Sequence, residues 1–376
     1  MQGEADMIRV FRPSYDGREE EAVCDVLRSG WVGLGPKVEE FERRFAAYCG
    51  IRHCIGTSSG TSALCMAVRL LRIGAGDEVI VPAMTFVSTA HAVVLAGARP
   101  VFADVLPDTL NIDPDDAARR IGPRTRAIIP VHYGGRPADI DRLLEAADDI
   151  PLVEDCAHAA GARHAGRHVG GFGAAGCFSF HAVKNLAMGE GGAILVDDGG
   201  LAERAAKMRW LGIDRSTWDR TGLDREYWWE YTVDEVGMKC HLDDIHAAIG
   251  LVQLQKLEEA NRRRAKIAEL YRTGLDDVEE VRVPPGVVEG DMSSWHMFVI
   301  RAKTRDDLNV YLAERGIQTG VHYKPIHLYP CYGQQQRLPV AEKAFESILT
   351  LPMYPDLTDG EVRTVIDTIR SFYRRR

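Results

Sequence analysis

Residues 51–196 alternate short apolar runs with stretches of helical period, and that alternation leaves few folds open to the chain. The runs occupy residues 51–55, 78–82, 99–103, 126–132, 151–155 and 193–196. Helical patterns lie between them at 63–71, from Thr85 onward and at 137–147. Strands that alternate with helices predict an α/β fold whose sheet is mainly parallel and covered on both faces. In such sheets ligands gather at the carboxyl ends of the strands. Asp155, His132 and the turn at 56–62 all stand at such ends.

The flanking regions read differently. Residues 13–29 and 37–49 are amphipathic helices, parted by Ser29-Gly30-Trp31-Val32-Gly33-Leu34-Gly35-Pro36. A glycine-rich turn around one tryptophan is either a packed corner or a loop reaching over a pocket. After Val196 a helix at 201–210 leads into a polar, aromatic stretch at 213–231. It contains Trp218-Asp219-Arg220 and Tyr227-Trp228-Trp229-Glu230-Tyr231. A long helical pattern at 242–270 then bridges two domains. Beyond it come a strand at 294–301, a helix at 304–314, a loop at 321–328 and helices at 340–349 and 358–372. The expected division is a large domain at 13–248 and a smaller α+β domain at 249–376, with the bridging helix starting near 242. A chain of 376 residues suits that division.

Charge and cysteine usage exclude some functions. A net charge of −9 gives no electrostatic reason to bind nucleic acid or an anionic membrane. An anionic substrate would need a local cationic pocket. The eight cysteines are scattered, mostly in apolar runs, with no Cys-x-x-Cys spacing. That pattern predicts free thiols in a reducing compartment, with neither disulfides nor a metal site. No apolar stretch reaches the ~20 residues of a membrane span, and the first residues lack a signal-peptide core. A cytoplasmic, soluble protein is expected.

The chemistry concentrates around Lys184. An apolar run ends in Phe178-Ser179-Phe180-His181-Ala182-Val183-Lys184-Asn185, followed by a glycine-rich turn and another buried strand. Burying an ammonium costs several kcal/mol. A salt bridge, a phosphate ligand or an amine tuned for imine chemistry would each justify it. Upstream, residues 56–62 carry five hydroxyls in seven positions at a helix start. An N-cap needs one, so the surplus points to an anion cradle at the positive end of the helix dipole. A cradle, a flat aromatic at Phe86, a buried Asp155 and a buried lysine together point to pyridoxal 5′-phosphate (PLP). Thr61, Ser62 and Ser179 would hold its phosphate, Phe86 would stack on its ring, Asp155 would pair with the pyridine nitrogen, and Lys184 would form the Schiff base. Desolvation and cationic neighbours would lower the Lys184 pKa.

The sequence also resembles the DegT/DnrJ/EryC1/StrS nucleotide-sugar aminotransferases, which are fold type I PLP enzymes of the aspartate aminotransferase kind. The resemblance rests on Thr57-Ser-Ser-Gly-Thr-Ser-Ala63, Gly76-Asp-Glu-Val-Ile-Val-Pro82, Thr85-Phe86-Val87-Ser88-Thr89, Pro130-Val-His-Tyr-Gly134, Val153-Glu-Asp-Cys-Ala-His158 and Phe178-Ser-Phe-His-Ala-Val-Lys-Asn185. It runs from Arg12-Pro13 and Ser29-Gly30-Trp31 to Val321-His322-Tyr323 and Leu351-Pro352. It implies the same roles for Lys184, Asp155, Phe86, Thr61, Ser62 and Ser179, and places His158 beside the cofactor, where many members have glutamine. Histidine there, with Trp218-Asp219-Arg220, is nearest to the transaminases that form UDP-4-amino-4-deoxy-L-arabinose.

The resemblance further implies a homodimer whose sites are finished by the partner chain. The family's asparagine before the bridging helix is missing from Gly237-Met-Lys-Cys-His-Leu242, so Lys239 or His241 would take over that contact in trans. Relatives with histidine at the Schiff-base position are dehydratases, which Lys184 disfavours. The implied reaction is PLP-dependent transfer of the amino group of glutamate to a keto sugar nucleotide, at C4 rather than C3. A keto-cyclitol aminotransferase and a non-catalytic PLP-fold regulator are the alternatives. Trp31, His322, Tyr323 and Lys324 are the candidate substrate contacts, with Lys324 facing a diphosphate. His132, Tyr133, His181 and His327 are weaker candidates of the same kind.

Overall fold

The computed structural model describes residues 7–214, 231–333 and 336–375. Strands β1 (His53–Thr57), β2 (Glu78–Pro82), β3 (Arg99–Ala103), β4 (Thr125–Ile128), β5 (Val153–Asp155), β8 (Ala175–Ser179) and β9 (Gly192–Val196) build the main sheet. Between them, β6 (Arg163–His164) and β7 (Arg167–His168) form a small hairpin. Three strands pair in the order β3-β2-β4 and four in the order β1-β9-β8-β5. Parallel bridges Ile128–Leu152 and Val131–Asp155 join the two sets. Only β9 runs against its neighbours. The sheet is therefore mainly parallel, as the alternation predicts.

Helices Gly60–Leu70, Ser88–Leu95, Ile140–Ala147 and Gly199–Met208 cover the sheet, and their apolar sides meet it in continuous clusters. The helix expected from Thr85 starts at Ser88, which leaves Phe86 in the turn before it.

Helix Asp244–Leu275 spans two cores. Ala247 and Leu251 pack with Phe41 and Phe45 of helix Pro36–Cys49. Ile267, Ala268, Tyr271 and Leu275 pack with the C-terminal strands. Those strands, β10 (Val281–Arg282), β11 (Phe298–Ala302) and β12 (Ile348–Leu351), form an antiparallel sheet backed by helices Arg305–Ala313 and Asp359–Arg374.

The C-terminal lobe also departs from the sequence reading. The helix expected at 340–349 is Pro339–Phe345, and Ile348–Leu351 is a strand. The apolar spacing of that stretch fits both periods, and pairing with β11 decides it. The N-terminal segment also joins the C-terminal lobe. Ile8 bridges Ile317 and enters that lobe's core, and the Met353 amide donates to the Val10 carbonyl at 2.9 Å.

Candidate active site

The strand ends at β1, β5 and β8 converge on a cavity of about 330 Å³. The helix that starts at Gly60 gives it one wall. Ser59 is the N-cap, in extended backbone conformation, and its hydroxyl accepts from the Ser62 amide at 3.1 Å. A Cβ on Gly60 would lie 2.7 Å from Ser179 Cβ, and one on Gly192 would lie 2.4 Å from the Ser59 carbonyl carbon. Glycine at both positions lets the helix start sit directly on the ends of β8 and β9. Ser59, Thr61, Ser88 and Ser179 thereby line one wall, with Thr61 Oγ1 2.8 Å from Ser88 Oγ. Ser62 does not line the cavity, because its hydroxyl pairs with Ser58 and Ser59.

Asp155 closes the floor. It is buried, and its carboxylate accepts from Thr89 Oγ1 at 2.8 Å and from the Ala157 amide at 3.1 Å. Burial raises its pKa, and Thr89, Ala157 and Lys184 offset this only in part. Lys184 enters from the loop after β8. That loop is shaped by Ala182 N–H to Gly189 O and Met188 N–H to Phe180 O, both 2.8 Å, and anchored by buried Leu186 and Met188. Desolvation lowers the Lys184 pKa to about 8, against the opposing pull of Asp155. The expected cationic neighbours are instead histidines held neutral. Burial and then Lys184 press His158 and His296 well below the ordinary imidazole range, and bring His322 to about 4.

Aromatic rings fill the far side. His158 Nε2 is 3.1 Å from Tyr323 OH. Its ring stacks on His296 at 4.7 Å, and Phe11 stacks behind His296 at 5.2 Å. His322 Nδ1 pairs with Thr350 Oγ1 at 2.8 Å, and Tyr133 OH donates to the His322 carbonyl. Phe86 stands at the mouth, 54% exposed, with its ring 5.9 Å from that of Tyr323. His181 and Glu190 line the same rim, 3.7 Å apart.

The structure thus brings together Lys184, Asp155, His158, Thr61, Ser179, Phe86, His322 and Tyr323. His181 stands at the rim of the same cavity, and the remaining sequence candidates lie elsewhere. Trp31 donates its indole N–H to the Leu34 carbonyl at 3.1 Å, closing its own turn. Lys324 is exposed, with its ammonium 5.2 Å from the Tyr329 ring centre. Lys239 lies 3.7 Å from the Trp210 ring centre, and His241 packs edge-on against the same indole. His132 and His327 pair with Glu154 and Glu342. Trp218-Asp219-Arg220 and residues 227–230 lie outside the described residues, and Tyr231 is exposed.

Sequence reasoning missed Ser59, Thr89, His296 and Phe11. Thr89 has a visible signal: it stands four residues after Thr85 in a stretch whose pattern predicts a helix, and the two hydroxyls are 2.8 Å apart. His296 and Phe11 arrive from the C-terminal lobe and the N-terminal segment, and no local pattern announces them. His132, Glu154 and Cys156 are also close together and buried. That group is no metal site, because four donors already occupy the Glu154 carboxylate.

Comparison with known proteins gives one consistent result. The model of the DegT/DnrJ/EryC1/StrS aminotransferase family matches residues 13–370. The chain is 38% identical over 373 residues to the spore coat polysaccharide biosynthesis protein SpsC of Bacillus subtilis (strain 168), covering 95% of each. Among solved structures it resembles the aminotransferase TlmJ from Streptoalloteichus hindustanus, with 40% identity, 98% and 99% of the two chains covered and a TM-score of 0.92. It also resembles the candidate sugar aminotransferase Spr1654 from Streptococcus pneumoniae in its PLP form, with 31% identity, 98% and 99% covered and a TM-score of 0.90.

Proposed function

The chain belongs to the DegT/DnrJ/EryC1/StrS aminotransferase family, and from that premise we propose that it is a PLP-dependent aminotransferase that moves the amino group of glutamate onto a keto sugar nucleotide. The observation that carries this reading is the meeting of Lys184 and Asp155 in one cavity, each with its titration moved by burial.

The residues present fit PLP. The Gly60 helix start and the hydroxyls of Ser59, Thr61 and Ser179 form an anion cradle that a Cβ at Gly60 would fill. Phe86 and His158 supply aromatic faces for the ring, and Lys184 is the amine that would bind the aldehyde. When bound, PLP supplies an electron sink for the carbanion that transamination requires. Asp155 would hold a proton at the pyridine nitrogen. Fixed by Thr89 and the Ala157 amide, its carboxylate needs no reorganisation to do so. Lys184, whose charged form burial disfavours, would take a proton from the glutamate α-carbon and later return one to the sugar carbon. His158 and Tyr323, held together by their 3.1 Å contact, would orient bound groups on that side of the cavity.

Finer features follow from the sequence motifs. His158 favours a 4-keto sugar over a 3-keto one. A homodimer with shared sites, as the family resemblance implies, is part of the proposal. The test is direct. Purified protein with PLP and glutamate is offered UDP- and dTDP-linked 4-keto and 3-keto sugars, and the expected product is the 4-aminosugar. Lys184→Ala is expected to reduce turnover at least ~10³-fold while the protein stays folded. Undiminished activity in that variant would overturn the assignment.

A further inference from the structure

Nothing in the sheet ladder fixes how far Lys184 stands from Asp155. β5 and β8 pair only as far as Asp155 and Cys177, and Lys184 lies beyond the end of β8. The loop's own hydrogen bonds shape it and buried Leu186 and Met188 anchor its far side, but among the described residues no backbone hydrogen bond ties residues 181–187 to the Asp155 segment. We propose that Asn185 and Asn261 form a buried amide clamp that sets the position of Lys184 relative to Asp155, which makes both asparagines positioning residues of the active site. The proposal rests on Lys184 being the reacting amine.

The geometry is specific. Asn185 Nδ2 donates to Asn261 Oδ1 at 2.8 Å and to the Ser294 carbonyl at 2.7 Å. Asn261, on helix Asp244–Leu275, turns its own Nδ2 to the Ala160 carbonyl at 2.9 Å. Ala160 belongs to the segment that runs on from Asp155 through His158. One carboxamide therefore holds the lysine loop on its acceptor and the aspartate segment on its donor. Both asparagines are buried, so losing either partner leaves a polar group without solvent to replace it.

Two neighbours support the clamp. Gly161 has φ +87°, and a Cβ there would lie 2.3 Å from Asn261 Nδ2, so glycine is what admits the amide so close to this segment. Ser294 adds a third tie, with its hydroxyl donating to the His158 carbonyl at 2.8 Å. The lysine loop, the aspartate segment and the C-terminal lobe thus meet on three side chains. The charged and titratable groups around Lys184 are Asp155 on β5, His158 just after it, His296 before β11, and His322 and Tyr323 in the loop after Ile317, with His181 and Glu190 at the cavity rim. A loop free to shift would admit water to the amine and return its titration toward that of an ordinary lysine.

The experiment labels the full-length protein without cofactor, using acetic anhydride across a pH series, and follows the Lys184 peptide by mass spectrometry. Wild type is compared with Asn185→Ala, Asn261→Ala and the double variant. The wild-type midpoint is expected near 8. Each single variant should raise it, and the double should raise it no further than the larger single. With cofactor restored, kcat should fall about 10–100-fold while KM for glutamate stays within about twofold. Unchanged midpoints with a lowered Tm would overturn the clamp and leave the asparagines purely structural, as would effects that add. Should Asn261→Ala fail to fold, Asn185→Ala decides alone, since it leaves the Asn261–Ala160 bond in place. A wild-type midpoint in the ordinary lysine range would instead overturn the reading of Lys184 itself.

Discussion

Glu154 and Asp155 are consecutive on β5 and both are shut away from water, yet the two faces of the strand treat them in opposite ways. Alternation along a strand sends one carboxylate to each side. On the Glu154 side, His132 Nε2 at 3.1 Å and the amides of Gly170, Phe172 and Gly173 at 2.7 to 2.9 Å fill the carboxylate. The His132 Nδ1 accepts from the Ala138 amide at 3.0 Å, so its proton sits on Nε2, facing Glu154. Burial works to raise the Glu154 pKa, but His132 and these amides overcome it and hold the group low. On the other side Asp155 has only Thr89 and Ala157 as donors, and burial prevails. Equal burial with unequal numbers of donors separates a carboxylate that builds the fold from one left with capacity for chemistry.

Substitutions test this contrast. The largest effect is expected for Asp155→Asn, which should cut turnover at least ~10²-fold. Its stability should behave differently. A carboxylate whose folded pKa is raised contributes most below its unfolded pKa and loses that contribution as pH rises through the folded value. At neutral pH the protein without cofactor should therefore be no less stable with asparagine at 155. Glu154→Gln is the mirror image. Its folded pKa is depressed, so its contribution is present above the unfolded pKa and fades as pH falls through the folded one. The variant should cost about 2–3 kcal/mol at pH 7 in urea melts, less on acidification, and retain turnover per folded molecule. If Glu154→Gln lost turnover without losing stability, the contrast would fail. The smallest change is expected from Tyr323→Phe, which removes the partner of His158 Nε2 and should cost about 1 kcal/mol, or roughly a fivefold loss in kcat/KM.

The same contrast shows what the sequence could disclose. The strand run at 151–155 and the carboxylate at its end are legible, because period and position suffice. Which of two adjacent acids faces the cavity depends on the pleat. The pleat in turn depends on pairing with β8 and with Val131. Lys184 is legible as a charge in an apolar setting, and the anion cradle as an excess of hydroxyls. Ser62 and Ser59 could not be told apart, since either can cap, and the hydrogen bond to the Ser62 amide settles it. Asn261 is one polar residue among many on a long helix, and only tertiary packing gives it a partner. The strand at 348–351 was hidden because its apolar spacing also suits a helix. Lys239 and His241 entered through likeness to relatives, and within one chain both pack against Trp210.

Among the described residues no helix is long and apolar enough to cross a membrane, and the eight cysteines are free thiols. The central claim concerns one amine. Holding PLP-loaded protein with borohydride and mapping its peptides would show which lysine carries the cofactor. The expected result is one cofactor mass on the peptide containing Lys184, abolished by Lys184→Ala. The mass on another lysine, or none at all in protein that has bound PLP, would contradict it.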